Sequence, residues 1–172
     1  MGAFVRLGWR DRAHELLAFF RQGRRPAAWN QWAEVVFREP RKPRFLGDLP
    51  HGWVASDFAR SFLDLYAYER RGDGALVLAA GIPRDWLAGG EPLGVRALRT
   101  PWGPLTYSML LREGVLEARI EGLAAAPPGG VVFAPPIDPA RARVTLDGQA
   151  VPARSEIALG RLPARVVVES PW

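Results

Sequence analysis

The sequence predicts an α+β protein in which a short N-terminal helical segment precedes an antiparallel β-sandwich. Three observations predict this class. Apolar residues recur at helical spacing in the first half of the 172 residues, short alternating segments fill the second half, and turn signals separate those segments. The spacing of the apolar residues changes from a helical to a strand pattern near residues 71–74. We therefore expect a helical segment over residues 1–72 and a sandwich domain over residues 73–172.

Two helices are predicted in the first half. Apolar side chains of residues 11–22 fall on one helical face, and Gly23 is placed to end that helix. The same spacing predicts a second helix over residues 56–71. Its expected N-cap, first-turn acid and terminating glycine are Ser56, Asp57 and Gly72.

We expect a functional site in the connection between the two helices, residues 24–55. Its four prolines prevent it from forming one helix, although residues 28–37 could form a short one. Loops of this length in compact domains are usually functional or disordered, and the aromatic content of this one argues against disorder.

The second half predicts seven short strands. The clearest hairpin joins two of them at Glu113-Gly114, and a further turn is expected at Asp147-Gly148. Several short strands at this spacing are typical of an antiparallel sandwich. The predicted strands are residues 75–80, 94–100, 105–112, 115–121, 131–134, 142–146 and 165–169.

Composition excludes several functions. The chain has no cysteine, which rules out disulfides and thiolate metal sites, and no apolar run approaches the roughly 20 residues of a membrane span. A signal-peptide layout is not found at its start. The net charge is +5, but the arginines are scattered, so nucleic acid is disfavoured as a partner. The alternative, a nucleic-acid binder, would use Arg24, Arg25, Arg38, Arg41, Lys42 and Arg44.

Two stretches resemble a known enzyme family. Residues 51–58, HGWVASDF, and residues 66–69, YAYE, look like the last inner helix of an (α/α)6 six-hairpin glycosidase. Later segments look like the β-sandwich that follows such a barrel, and RTPWGPLTY is similar to a strand entry in α-L-rhamnosidase-type C-terminal domains. In chain order these later segments are residues 77–83, 95–103, 99–107 and 144–148.

The resemblance implies the C-terminal part of a glycoside hydrolase. An (α/α)6 barrel needs twelve helices and this sequence predicts two, so we expect the helical segment to be the end of a barrel and the sandwich to be a structural cap. The expected partners are a carbohydrate and an upstream barrel chain, or a second copy bound through exposed helix faces. The alternative function is a non-catalytic carbohydrate-binding or accessory sandwich module.

The resemblance also implies a catalytic residue. In the rhamnosidase type, a Trp-Glu pair before the last inner helix supplies the general base, and this chain has Trp32-Ala-Glu34, with one residue inserted. Glu34 is therefore the candidate base, and the alternative is a solvated glutamate. Hydrolysis needs a second carboxyl group. The resemblance places that acid upstream, so we expect this chain alone not to hydrolyse glycosides.

Five further residues are candidates for sugar contacts. A histidine at the position of His51 points into the sugar site in the resembling family, and Asp57 could accept hydrogen bonds from sugar hydroxyls or serve the start of its helix. Aromatic rings suit the apolar faces of sugars, although packing is the alternative for each. The candidate platforms are Trp29, Trp32 and Trp53. The two histidines are far apart in sequence, so no metal site is expected. No cofactor is expected either.

Overall fold

The chain divides into two compact units, Met1–Asp64 and Leu65–Trp172. The structure is a computed structural model that describes residues 1–35, 37, 39 and 47–171. Helices occupy the first unit and two β-sheets the second, which confirms the predicted α+β class. The division precedes the predicted boundary after Gly72, because residues 67–69 form a strand. Most of the predicted basic group lies outside the described residues, namely Arg38, Arg41, Lys42 and Arg44.

The described residues of the first unit contain three α-helices: α1 (Gly2–Arg6), α2 (Arg10–Gln22) and α3 (Gly52–Leu63). Helix α2 confirms the prediction for residues 11–22, including its end at Gly23, whereas α1 was not predicted. Instead of a helix over residues 28–37, the described residues form only a 3-10 turn at Ala27–Trp29. None of the described helices has the length and hydrophobicity that a membrane span requires.

The second predicted helix has the wrong bounds. Helix α3 begins at Gly52 and ends at Leu63, so Ser56 is not its N-cap and Asp57 is not in its first turn. The chain leaves the helix early because the backbone of residues 67–69 pairs with residues 76–78. That pairing buries Tyr68, which the helical pattern had placed at the end of the helix.

The helical unit is held by a small apolar interior and by an ion pair between α1 and the residue that follows α3. Side chains from α1 and α2, among them Val5, Ala13 and Leu17, are buried. Arg6 in α1 binds the carboxylate of Asp64, just after α3, with an N–O distance of 2.9 Å. These contacts fix the first helix and the end of the third relative to each other.

Residues 65–171 of the second unit form ten strands: β1 (Ala67–Glu69), β2 (Leu76–Leu78), β3 (Leu93–Thr100), β4 (Gly103–Arg112), β5 (Val115–Gly122), β6 (Val131–Phe133), β7 (Arg143–Leu146), β8 (Gln149–Val151), β9 (Ile157–Leu159) and β10 (Ala164–Glu169). They form a four-stranded sheet, β1-β2-β6-β9, and a six-stranded sheet, β3-β4-β5-β10-β7-β8. All seven predicted strands are present, and β1, β8 and β9 were missed. Three-residue strands are too short to show a clear alternation.

The two sheets are not wholly antiparallel. Strands β2 and β6 pair in parallel, while every other strand pair is antiparallel. Both central strands of the smaller sheet are buried at every residue, as expected where both faces of a sheet are covered. A run of apolar residues without alternation gives no information about strand direction, which explains why the parallel pair was not predicted.

Two hairpin turns confirm the turn signals. Glu113 and Gly114 have φ of 49° and 78°, and Asp147 and Gly148 have φ of 50° and 82°. Positive φ at both central residues is the backbone that matches the twist of a two-residue hairpin. These turns fix the registers of β4 with β5 and of β7 with β8.

The core of the strand-rich unit is centred on Tyr107. Along β4 the side chains of Leu105, Tyr107 and Met109 are buried, and those between them are more exposed. The Tyr107 hydroxyl donates a 2.8 Å hydrogen bond to the carbonyl of Tyr66, which precedes β1. Strand β4 therefore packs one face inward, and the hydroxyl of its buried tyrosine is hydrogen-bonded.

Candidate functional site

The connection before α3 brings two segments side by side. The Glu34 N–H donates to the Asp48 carbonyl at 3.0 Å, and the His51 N–H donates to the Trp32 carbonyl at 2.9 Å. The Asp48 N–H in turn donates to the Glu34 carboxylate at 3.3 Å. These bonds place the predicted base, Glu34, beside the entry to α3.

Gly47 makes this close approach possible. Its φ is +62°, in the left-handed region that glycine adopts without strain. A Cβ atom at this position would collide with the carboxylate of Glu34 and lie 2.8 Å from its Cβ. A residue with any side chain would therefore displace Glu34 from the Asp48 backbone.

Trp32 lies in the interior of the helical unit. Only 4% of its surface is exposed, and its indole N–H donates to the Phe20 carbonyl at 2.8 Å. The ring packs against Phe58 with a centroid distance of 4.2 Å. Because Trp32 is buried and its ring contacts Phe58, it has the packing role that the sequence left open as an alternative.

A cavity of about 310 Å³ opens in the helical unit. One face of α3 lines it with residues at helical spacing, and Glu34 and Phe20 line it from other segments. The α3 residues are Val54, Asp57, Phe58 and Ser61, and Met1 completes the lining. The cavity thus combines aromatic rings with two carboxylates, Glu34 and Asp57.

Asp57 and Glu34 differ in their partners. Asp57 lies in the middle of α3, with its carboxylate 3.5 Å from the guanidinium of Arg60 one turn later. Both side chains of that pair are largely exposed, so the pair contributes little to stability. Glu34 accepts the backbone N–H of Asp48 and has no ion pair with a described arginine. Both carboxylates are therefore accessible acceptors.

His51, Glu34 and Asp48 form a second feature beside the cavity. One potential ligand atom from each residue lies within 4.8 Å of those of the other two. His51 is partly buried, whereas both carboxylates are on exposed residues. Sequence reasoning missed Asp48, because only the backbone pairing of residues 34 and 48 brings it beside the other two.

Trp53 and Trp29 present their rings to solvent, with 74% and 60% of their surfaces exposed. Trp53 lies next to Val54, which lines the cavity, and Trp29 ends the 3-10 turn after α2. Neither ring has an aromatic partner among the described residues. Unlike Trp32, both therefore keep a free face.

The strand-rich unit has cavities of a different character. One of about 240 Å³ is lined by the loop after β5 and the turn after β9, and one of about 360 Å³ lies beside the β7–β8 hairpin. Arg161 lines both. No aromatic side chain is among the described lining residues of either cavity.

Two groups of ion pairs lie on the surface of the strand-rich unit. Arg165 and Arg119 both bind Glu117, at 2.8 Å, and these hydrogen bonds lower the pKa of Glu117 to about 2. Arg70 binds Asp73 and Glu156. In the helical unit, Arg24 donates to Asn30 and to the carbonyl of Arg21. These ion pairs neutralise Arg70, Arg119 and Arg165.

Comparison of the chain with protein-family models, with curated proteins and with solved structures finds no match.

Proposed function

We propose that the helical unit carries one side of a carbohydrate site and that the strand-rich unit is its structural cap, as in the C-terminal part of a glycoside hydrolase. One observation carries this proposal. Glu34 and Asp57, both candidates for sugar chemistry, line the same cavity as the rings of Phe20 and Phe58. A mainly apolar cavity with a few polar groups is the usual form of a small-ligand site.

The size and lining of the cavity suit a sugar ring. At about 310 Å³ it lies at the lower end of the range for ligand sites, roughly 300–1,000 Å³. Carboxylates accept hydrogen bonds from hydroxyl groups, and aromatic rings cover the apolar faces of sugars. Trp53, one residue before Val54, could extend this aromatic surface beyond the cavity.

The proposed role of Glu34 is that of general base, taken from the resemblance to the rhamnosidase type. A base must accept a proton from water, and the exposed Glu34 carboxylate is free to do so. The acid that protonates the leaving group would come from another polypeptide. The proposal therefore expects sugar binding without turnover.

The exposed apolar side chains of the helical unit are consistent with the proposed protein partner. Most of the large apolar side chains that are exposed among the described residues belong to this unit, and α3 has no buried residue. These side chains are Leu7, Trp9, Trp29, Leu49, Trp53 and Leu63. An upstream barrel chain or a second copy, the proposed protein partners, would cover these side chains.

The test is a titration with an α-L-rhamnoside and a panel of other glycosides, followed by intrinsic tryptophan fluorescence. We expect Glu34→Gln and Asp57→Asn each to weaken binding about tenfold, because a hydrogen bond to a charged group contributes about 1.5–3 kcal/mol. Glu15→Gln, an exposed glutamate of α2, is the matched control and should leave binding unchanged.

The outcomes separate the two candidate functions. If Arg161→Ala abolishes binding while the two cavity variants do not, the site lies on the strand-rich unit and the accessory-module alternative is correct. Turnover of an aryl α-L-rhamnoside by the wild-type chain, abolished by Glu34→Gln, would show that no second polypeptide is needed. Absence of any sugar response would refute the carbohydrate proposal.

A further inference from the structure

We propose that Glu34, Asp48 and His51 bind a divalent transition-metal ion of the zinc class. This site goes beyond the carbohydrate proposal and does not depend on it, although the two share Glu34. Its basis is the mutual placement of one imidazole and two carboxylates, with ligand atoms within 4.8 Å of one another.

The distances fit a single ion. Ligand atoms bound to zinc at about 2.0–2.2 Å lie no more than about 4.4 Å apart, so the three side chains need only small rotations to converge. The backbone bonds that join Glu34 to Asp48 and Trp32 to His51 already fix the main chains of all three ligands. Little conformational entropy would therefore be lost when the ion binds.

The donor set selects the class of metal. Calcium and magnesium prefer sites made only of oxygen atoms, whereas an imidazole nitrogen suits zinc and related transition metals. Three protein ligands also leave a coordination position open, as in catalytic rather than structural zinc sites. Because Glu34 also lines the cavity, the bound ion would lie near it.

Charge balance supports the same inference. Glu34 and Asp48 bring two like charges within 4.8 Å, an arrangement that a cation stabilises. Over the described ranges, 1–35, 37, 39 and 47–171, no arginine forms an ion pair with either carboxylate. The glycine at position 47 keeps the space beside Glu34 free of a side chain.

The experiment is isothermal titration of metal-free, untagged protein with Zn²⁺ alone, with no sugar present. We expect one ion per chain and at least a tenfold loss of affinity in each of Asp48→Asn and His51→Ala, since even outer-shell substitutions cost about 10–100-fold. The matched controls are Asp57→Asn, which alters a cavity carboxylate outside the cluster, and His14→Ala, which removes the other histidine.

A second measurement guards against misfolded variants. Co²⁺ absorption in the visible range should appear in the wild-type and control proteins and be lost in the two ligand variants. Circular dichroism should show that all variants keep their helices. No zinc binding by the wild type, or binding that survives both ligand substitutions, would overturn the proposal.

The two proposals can fail separately. Sugar titration in the presence of a chelator tests the cavity without metal, and Asp48→Asn should leave that titration unchanged because Asp48 does not line the cavity. Zinc binding without any sugar response would support the metal site and remove the carbohydrate site.

Discussion

Replacement of Trp32 by phenylalanine tests whether this tryptophan packs the helical unit or contacts sugar. The substitution removes the hydrogen bond from the indole N–H to the Phe20 carbonyl, which is 2.8 Å long. That carbonyl still accepts a hydrogen bond from the N–H of Gly23 at 3.1 Å, so the substitution leaves it with a hydrogen-bond partner. A phenyl ring can keep the contact with Phe58.

Two lost interactions determine how much the free energy of unfolding should fall. The hydrogen bond contributes about 1 kcal/mol. Trp32 is 4% exposed, and a phenyl ring buries roughly 50 Å² less than an indole, which at about 25 cal/mol per Å² costs about 1.2 kcal/mol. We therefore expect Trp32→Phe to lower the free energy of unfolding of the helical unit by about 2 kcal/mol.

Urea denaturation followed by far-ultraviolet circular dichroism measures this change, because the α-helices lie in the first unit. Trp29→Phe is the matched control. Its ring is 60% exposed, so its substitution should change stability by less than about 0.5 kcal/mol. An unchanged midpoint for Trp32→Phe, together with loss of the sugar response, would refute the packing role and restore Trp32 as a sugar contact.

Two further predictions concern the strand-rich unit, both measured by urea denaturation. Burial raises the pKa of the Tyr107 phenol above its ordinary value, with Tyr66 adding to the effect, so the folded state keeps a proton that the unfolded state loses above about pH 10. Tyr107→Phe should be about 1 kcal/mol less stable than the wild type at neutral pH, because it lacks the hydroxyl hydrogen bond. This difference should disappear near pH 11, because only the wild type loses about 1.4 kcal/mol of stability per pH unit above pH 10. A difference that stays constant with pH would contradict the assigned cause. Gly81→Ala should cost about 1–3 kcal/mol, since its Cβ would lie 2.6 Å from the Cα of Leu65. Gly72→Ala, with open space around it, is the control, and equal effects would contradict the steric argument.

Local patterns predicted the elements that are long or that end at a distinctive turn. Helix α2 has a full apolar face and ends at Gly23, and the hairpin at Glu113-Gly114 has the turn residues that positive φ requires. The end of α3 was not predictable in this way, because helical spacing continues past Leu63. There the pairing of β1 with β2 outweighs the local preference.

The sequence likewise predicted some residues of the candidate site and not others. The resemblance to the glycosidase family indicated Glu34 and His51, and Asp57 was a candidate at the start of the predicted helix that follows the connection. Sequence could not indicate which tryptophans keep a free face, since exposure depends on packing. The sequence also did not indicate that Asp48 lies beside Glu34 and His51, so no metal site was expected there.

The sequence by itself determined the α+β class, the order of helices before strands and the turn positions. Each depends on periodicity or on the backbone preference of one or two residues. Only the tertiary structure decided that Trp32 is buried, that β2 and β6 run parallel, and that Glu34 shares one cavity with Asp57 and one cluster with Asp48 and His51. Those outcomes depend on contacts between residues far apart in the chain, which spacing along the sequence does not encode.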